Sequence, residues 1–247
     1  MKNLIILFSL VFGLCTSGWA QTDYKQWETH RFTVKMGQED DFEKSLAAHN
    51  KKYHNAAPYK TYVYTLHTGP NSGDYEIALG PMTFTQLAGR PAGKDHDDDW
   101  SKVMSHVEST GESEYWRSDK DINYQPPGSD AFNALRWRLF TVRPGQTDRA
   151  EALFAQVEKV YETKKLGAGY RLYWKWGASQ GPHVCAEMSM ASWAYFDNPN
   201  TFVKDFDEVY GEGAYDRFLE DMDRGMDRSK TSDELVMFEP ELSSDFK

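Results

Sequence analysis

Residue types suited to acid-base and anion chemistry recur at alternating positions in the second half of this 247-residue chain. His183, Cys185 and Glu187 follow one another at two-residue spacing, which in a strand puts all three on one face. Arg138 stands among apolar residues with Phe140 and Val142, as His30 does with Phe32 and Val34. Polar groups on an apolar face are costly unless paired or used. Histidine titrates unperturbed near neutral pH, so His183 is a candidate proton shuttle and Arg138 a candidate anion anchor, the two catalytic candidates. Tyr173, Trp174, Glu187 and His30 join them as ligand-binding candidates around an aromatic pocket of the second half. A plainer reading removes the chemistry: Arg138 and Glu187 form an ion pair between neighbouring strands, and His183 starts a solvated strand after Pro182.

Other chemically suggestive residues carry less. Asp95-His96-Asp97-Asp98-Asp99 is the densest acidic cluster and offers oxygen ligands to a hard cation such as calcium, but it lacks the alternation and glycine of an EF-hand. Acids ahead of a helix beginning at Trp100 suit its dipole, so a solvated helix start is expected. Cys185, mid-strand, reads as a small buried hydrophobe. Met222 and Met226 are spaced as helix-face packing. No glycine-rich phosphate loop, nucleophile elbow or His-rich metal spacing occurs, and neither metal nor cofactor is assigned.

The elements that must position these groups repeat. Shifting the chain by 108 residues aligns Phe32-Thr33-Val34-Lys35-Met36-Gly37-Gln38 with Phe140-Thr141-Val142-Arg143-Pro144-Gly145-Gln146. The same offset, held without a gap, pairs Tyr62 with Tyr170, Gly69 with Gly177, Ala78 with Ala186 and Met82 with Met190. Residues 27–34 and 135–142 predict first strands ended by glycine turns. Helices follow, with Ala150, Leu153, Phe154, Val157, Val160 and Tyr161 on one face. Asp40 with Glu43, and Asp148 with Glu151, have capping-box spacing. Hairpins come next, at 61–67 and 170–176 with their partners, then second helical regions at 100–107 and 202–222. Closing strands at 114–117 and 234–238 complete β-α-β-β-α-β in each half. Pro126-Pro127-Gly128 marks the boundary.

The run Val142-Arg143-Pro144-Gly145-Gln146 before Asp148 and a helix carrying Phe154 resembles the start of the dimeric α/β-barrel superfamily, which includes monooxygenase-like relatives. That resemblance implies an α+β fold of two tandem ferredoxin-like units packed as a pseudo-dimeric α/β barrel, each sheet covering the other's bare face. The repeat, its boundary and the N-terminal run divide the chain into an expected signal peptide (1–20), a first repeat (21–122), a linker (123–132), a second repeat (133–240) and a C-terminal tail (241–247). The resemblance also raises haem, as in the chlorite dismutase and dye-decolourising peroxidase groups, for which His183 is the second half's one candidate axial ligand.

At the N-terminus Lys2 precedes an apolar run at 4–14, and Gly18-Trp19-Ala20 presents small residues where a signal peptidase reads. Cleavage after Ala20 is expected. Bulky Leu14 disfavours lipidation of Cys15. Loss of Lys2 leaves 27 basic against 38 acidic residues, so nucleic acid is a poor partner. With Cys185 as the remaining cysteine, no intrachain disulfide can form. No second long apolar stretch provides a membrane anchor. The expectation is an exported, periplasmic or extracellular protein that binds a small molecule or is a cofactor-independent oxygenase-like enzyme. The alternative is a non-catalytic exported module that binds a protein partner or a glycan.

Overall fold

A computed structural model describes residues 24–130, 133–177 and 183–245. The expected signal peptide therefore lies outside the described residues. The first half of the chain forms β1 (Gln26–Val34), α1 (Glu39–Tyr53), β2 (Thr61–Leu66), β3 (Tyr75–Met82), the single turn α2 (Phe84–Leu87), α3 (Lys94–Met104), β4 (Val107–Thr110) and β5 (Glu114–Tyr124). The second forms β6 (Ala134–Phe140), α4 (Thr147–Lys164), β7 (Gly169–Trp176), β8 (Val184–Ser189), α5 (Phe202–Tyr210), α6 (Ala214–Gly225) and β9 (Ser232–Phe238). Among the described residues no helix is long and apolar enough to cross a membrane.

The strands make one antiparallel sheet in the order β3-β2-β9-β6-β8-β7-β5-β1, and β1 returns to pair with β3. Eight strands thus close into a barrel, and β4 continues alongside β1 where β5 leaves it. The two seams between halves are β2 with β9 and β5 with β7. Closure removes the free edges that each half would otherwise expose. Period-two alternation then sorts side chains. Trp27, Thr29 and Arg31 of β1 line the barrel cavity, whereas Phe32 and Val34 pack outward under α1 and α3. In the second half Phe140, Leu172, Ala186 and Met188 face outward, under α4, α5 and α6.

Local sequence explains the turns into the first helices. Gly37 and Gly145 adopt φ values of 79° and 73°, which glycine reaches without a Cβ clash. The caps differ from expectation: Gln38 and Gln146 occupy the N-cap positions with no side-chain hydrogen bond, and Asp40 and Asp148 sit inside the first turns. There they complement the helix dipole, and Glu43 accepts a 2.6 Å hydrogen bond from the Tyr75 hydroxyl instead of closing a capping box. Helix α3 begins at Lys94, so the acidic run lies within its first turns instead of before it. Strand β5 extends to Tyr124, into the expected linker, because Asn123 and Tyr124 pair with Arg171 and Tyr170.

The strand registers also correct the uninterrupted alignment of the halves. Phe32 faces Tyr75 and His30 faces Ile77, while Phe140 faces Val184 and Arg138 faces Ala186. With Phe32 equivalent to Phe140, Ile77 therefore corresponds to Ala186, and Ala78 to Glu187. The second half thus has one more residue than the first between its first strand and its hairpin. A slip of one flips every side chain across the sheet, so the offset of 108 compares opposite faces beyond the first helix.

Residues 242–244 return to the first half. Asn50 Nδ2 donates to the Leu242 carbonyl at 2.7 Å, and the Ser243 and Ser244 hydroxyls accept from the backbone N–H groups of Val63 and Thr61.

Candidate functional site

Two cavities flank the second half's sheet, one on each face. The inner one, about 380 Å³, lies within the barrel and is walled by Trp27, Tyr64, Trp116, Trp137 and Tyr173 together with acidic groups. Most of those acids are paired within the barrel. Glu187 accepts from Trp137 Nε1 at 2.9 Å and lies 2.7 Å from Arg171 Nε, an ion pair whose N–H is poorly directed for a hydrogen bond. Glu76 accepts from Arg31 Nε at 2.9 Å, and Glu114 takes Trp116 Nε1 at 2.9 Å and a close contact from Lys175. Glu234 accepts from Asn71 at 2.8 Å, and its other oxygen lies 3.9 Å from Arg31. Burial pushes the Glu76 carboxyl up, although Arg31 opposes it, and pushes the Cys185 thiol well up, which keeps that sulfur un-ionised. The Glu187 carboxylate holds the Arg171 guanidinium further above its ordinary value. Most of these polar groups are spent on one another, while Glu234 Oε2 is buried without a hydrogen-bond partner and Glu112, also on the cavity, is exposed.

The outer cavity is larger, about 720 Å³, and lies between the outward face of β6, β7 and β8 and helices α4 to α6. Phe140, Phe154, Tyr161, Phe218 and Met222 are among the residues that line it, and Ala186 lies on its strand side. A 3-10 turn, Trp193–Asp197, and the loop after it form the rim, with Tyr195 and Phe196 on the cavity. Three guanidiniums reach this space: Arg136, Arg138 and Arg228. Arg136 Nε donates to Asp233 Oδ1 at 2.7 Å, while Arg138 Nε is 3.5 Å from the same carboxylate and its guanidinium lies 5.4 Å from the Phe140 ring centre. Arg228 donates to Asp223 at 3.0 Å. One carboxylate thus serves two arginines at an aromatic wall, and Asp205, the acid that also lines the cavity, is held by Lys164 at 3.4 Å. The Thr231 hydroxyl, also on the cavity, is buried without a partner. Burial raises the Tyr161 hydroxyl well above its usual range, next to Tyr195, so it stays protonated and can donate.

The predicted site residues divide between these spaces. Arg138 lines the outer cavity, whereas Tyr173 and Glu187 line the inner one. The expected ion pair between Arg138 and Glu187 is replaced by Arg171 with Glu187, because Trp137, not Arg138, stands opposite Glu187 in the β6–β8 register. Trp174 faces outward, edge-on to Phe154, and donates to Asp119 at 2.9 Å. His183 precedes β8 and accepts from the Val142 N–H at 3.2 Å. Burial, aided by Lys175, lowers its pKa. His30 lies on the first half's outer face, 3.1 Å from the Ser113 hydroxyl and 3.5 Å from Glu28. Sequence reasoning missed Arg136, Arg171, Tyr161 and Tyr195. Arg136 was findable, since it shares an alternating face with Arg138 and Phe140; Tyr195 lies outside any periodic element. Among the described residues no histidine lines either cavity, so the side chains there do not offer the axial ligand that the haem raised by the resemblance would need.

No family model and no curated protein matches the sequence. Solved structures do match in fold. A candidate monooxygenase from Lactobacillus acidophilus is similar over 90% of this chain and 96% of its own, at 12% identity and a TM-score of 0.53. Another from Fusobacterium nucleatum subsp. nucleatum is similar over 87% and 92%, at 11% identity and a TM-score of 0.57. An anthrone oxidase-like protein is similar over 88% and 92%, at 17% identity and a TM-score of 0.52.

Proposed function

We propose, from the premise that this chain has the dimeric α/β-barrel fold, that it is an exported protein whose outer cavity in the second half binds a planar aromatic anion. One observation carries the reading: Arg136 and Arg138 share Asp233 at the wall of a 720 Å³ aromatic cavity. Apolar walls with a few convergent polar groups are the usual composition of a small-molecule site. The inner cavity, most of whose carboxylates are already paired, is the weaker candidate. Matching strand orders, β5-β1-β3-β2 and β9-β6-β8-β7, support descent by tandem duplication of a ferredoxin-like unit. Lys2, the apolar run and Gly18-Trp19-Ala20 support export.

A second reading, favoured by the fold likeness to the anthrone oxidase-like protein, adds turnover. An enolisable aromatic ketone would bind as its anion, with the oxyanion at Arg136 and Arg138 and the Tyr161 hydroxyl as donor. The electron-rich anion then supplies electrons to O2, a CH2 group becoming C=O with release of one water, and no bound metal is required.

The experiment uses 8-anilinonaphthalene-1-sulfonate and the neutral N-phenylnaphthylamine as fluorescent probes. Arg138→Ala is expected to weaken the anionic probe about tenfold, the loss of one charge-assisted contact worth about 1.4 kcal/mol, and to leave the neutral probe unchanged. Equal effects on both probes would contradict the anion assignment. Oxygen uptake with anthrone tests turnover; binding without uptake leaves a binding protein.

A further inference from the structure

We propose that His49, His54 and His96 form a three-histidine site for a divalent transition metal of the zinc class, in the first half and outside both cavities. His49 lies on the buried face of α1, His54 caps its C-terminus, and His96 stands in the first turn of α3. One ring nitrogen of each lies within 4.8 Å of the others.

The hydrogen bonds set the tautomers. His49 Nδ1 is 3.0 Å from Asp99 Oδ2, His54 Nδ1 is 3.0 Å from the Tyr59 carbonyl, and His96 Nδ1 is 3.1 Å from Asp97 Oδ1. Every one of these partners is an acceptor, so each Nδ1 carries the proton and each Nε2 keeps its lone pair. The Nε2 atoms of His49 and His96 are buried with no hydrogen-bond partner, and the His49 side chain is 1% exposed. Three imidazoles gathered within 4.8 Å, two of them with a buried and unanswered Nε2 lone pair, are what a metal would satisfy. A histidine that donates its far N–H to a carboxylate is the usual outer-shell arrangement of a metal ligand. Here Asp99 and Asp97 supply two such carboxylates.

The frame is already rigid. The Tyr53 hydroxyl donates to the Asp95 carbonyl at 2.8 Å, tying the end of α1 to the start of α3, and Trp100 packs 5.0 Å from the His49 ring. A tetrahedral zinc with bonds of about 2.1 Å sets its nitrogens about 3.4 Å apart, so the rings need to close by little more than 1 Å. No fourth protein ligand joins the group among the described residues, which leaves that position to water. The sequence shows no such spacing because α2 and two strands separate His54 from His96.

Cobalt(II) titration of the full untagged chain tests the site. The expected result is the intense visible absorption of tetrahedral cobalt at one equivalent, displaced by one equivalent of zinc. His96→Ala removes the more exposed ligand and should abolish the band, while circular dichroism and naphthalenesulfonate binding in the other half confirm a folded chain. Asp99→Asn should weaken zinc affinity about 10- to 100-fold with the band retained. Absence of the band in the unaltered chain, or titration of His96→Ala identical to it, would overturn the proposal.

Discussion

The two outer faces of the barrel begin from equivalent positions and end differently. Glu28 and His30 of β1 correspond to Arg136 and Arg138 of β6, by the offset that matches Phe32 with Phe140. In the first half these groups are consumed. Arg90 holds Glu28 with contacts of 3.0 and 2.7 Å, and His30 is shared between Ser113 and Glu28. Above them Phe32, Phe42, Leu46, Tyr75 and Val103 pack into a closed layer, with Trp100 edge-on to Phe32 at 5.9 Å. In the second half the paired helices α5 and α6 stand over the sheet where the first half has α3, and a cavity opens beneath them. Ala186 lies where the first half has Ile77, which removes volume from the sheet side of that space. Equivalent strand positions thus support a filled layer in one half and an open cavity in the other.

Core truncation should separate the halves most strongly. Phe42 is fully buried in the closed layer, so Phe42→Ala is expected to cost about 4 kcal/mol in denaturant unfolding. Phe218 lines the open cavity and already lacks partners on one side, so Phe218→Ala should cost about half as much, ~2 kcal/mol. Equal losses would mean that the cavity is filled by collapse in solution.

Charge deletions sharpen the contrast between faces of the same sheet. Arg171→Ala leaves the buried Glu187 without its ion pair, with an expected loss of roughly 3 kcal/mol. Arg138→Ala removes a half-exposed charge that shares its acid with Arg136, and unfolding should shift by less than about 1 kcal/mol. The reverse order would restore Arg138 as the partner of Glu187.

The smallest effect concerns pH. Burial works to raise the Glu28 carboxyl, but His30 and Arg90 outweigh it and hold the group below its ordinary value of 4.5. A carboxylate lowered on folding contributes stability above the unfolded value, and that contribution is lost as pH falls through the folded one. Arg90→Ala leaves burial less opposed, so the acid unfolding midpoint should move to higher pH. Thermal melts across roughly pH 3 to 6 would show it; an unchanged midpoint would show that Arg90 does not hold Glu28 in solution.

Much of this plan was legible in residue order. Glycine turns after the first strands and the apolar stripe of α4 lie where local chemistry put them. The register of distant strands was not, because a single extra residue leaves local patterns intact while exchanging inner and outer faces. That is why Glu187 was set beside Arg138 although its partner, Arg171, sat on the facing strand. Closure of the sheet through two seams depends on pairing between halves, which no window of sequence contains. The histidine cluster is hidden for the same reason, assembled from α1, its C-cap and a distant helix.

Neighbouring residues on β8 offer the most direct test of the central claim, since Ala186 lines the outer cavity and Cys185 the inner one. Titration of 8-anilinonaphthalene-1-sulfonate against Ala186→Phe and Cys185→Leu reads the two faces separately. The outer-cavity account predicts that Ala186→Phe abolishes binding while Cys185→Leu binds like the unaltered protein. Binding retained in Ala186→Phe and lost in Cys185→Leu would place the ligand inside the barrel and contradict it.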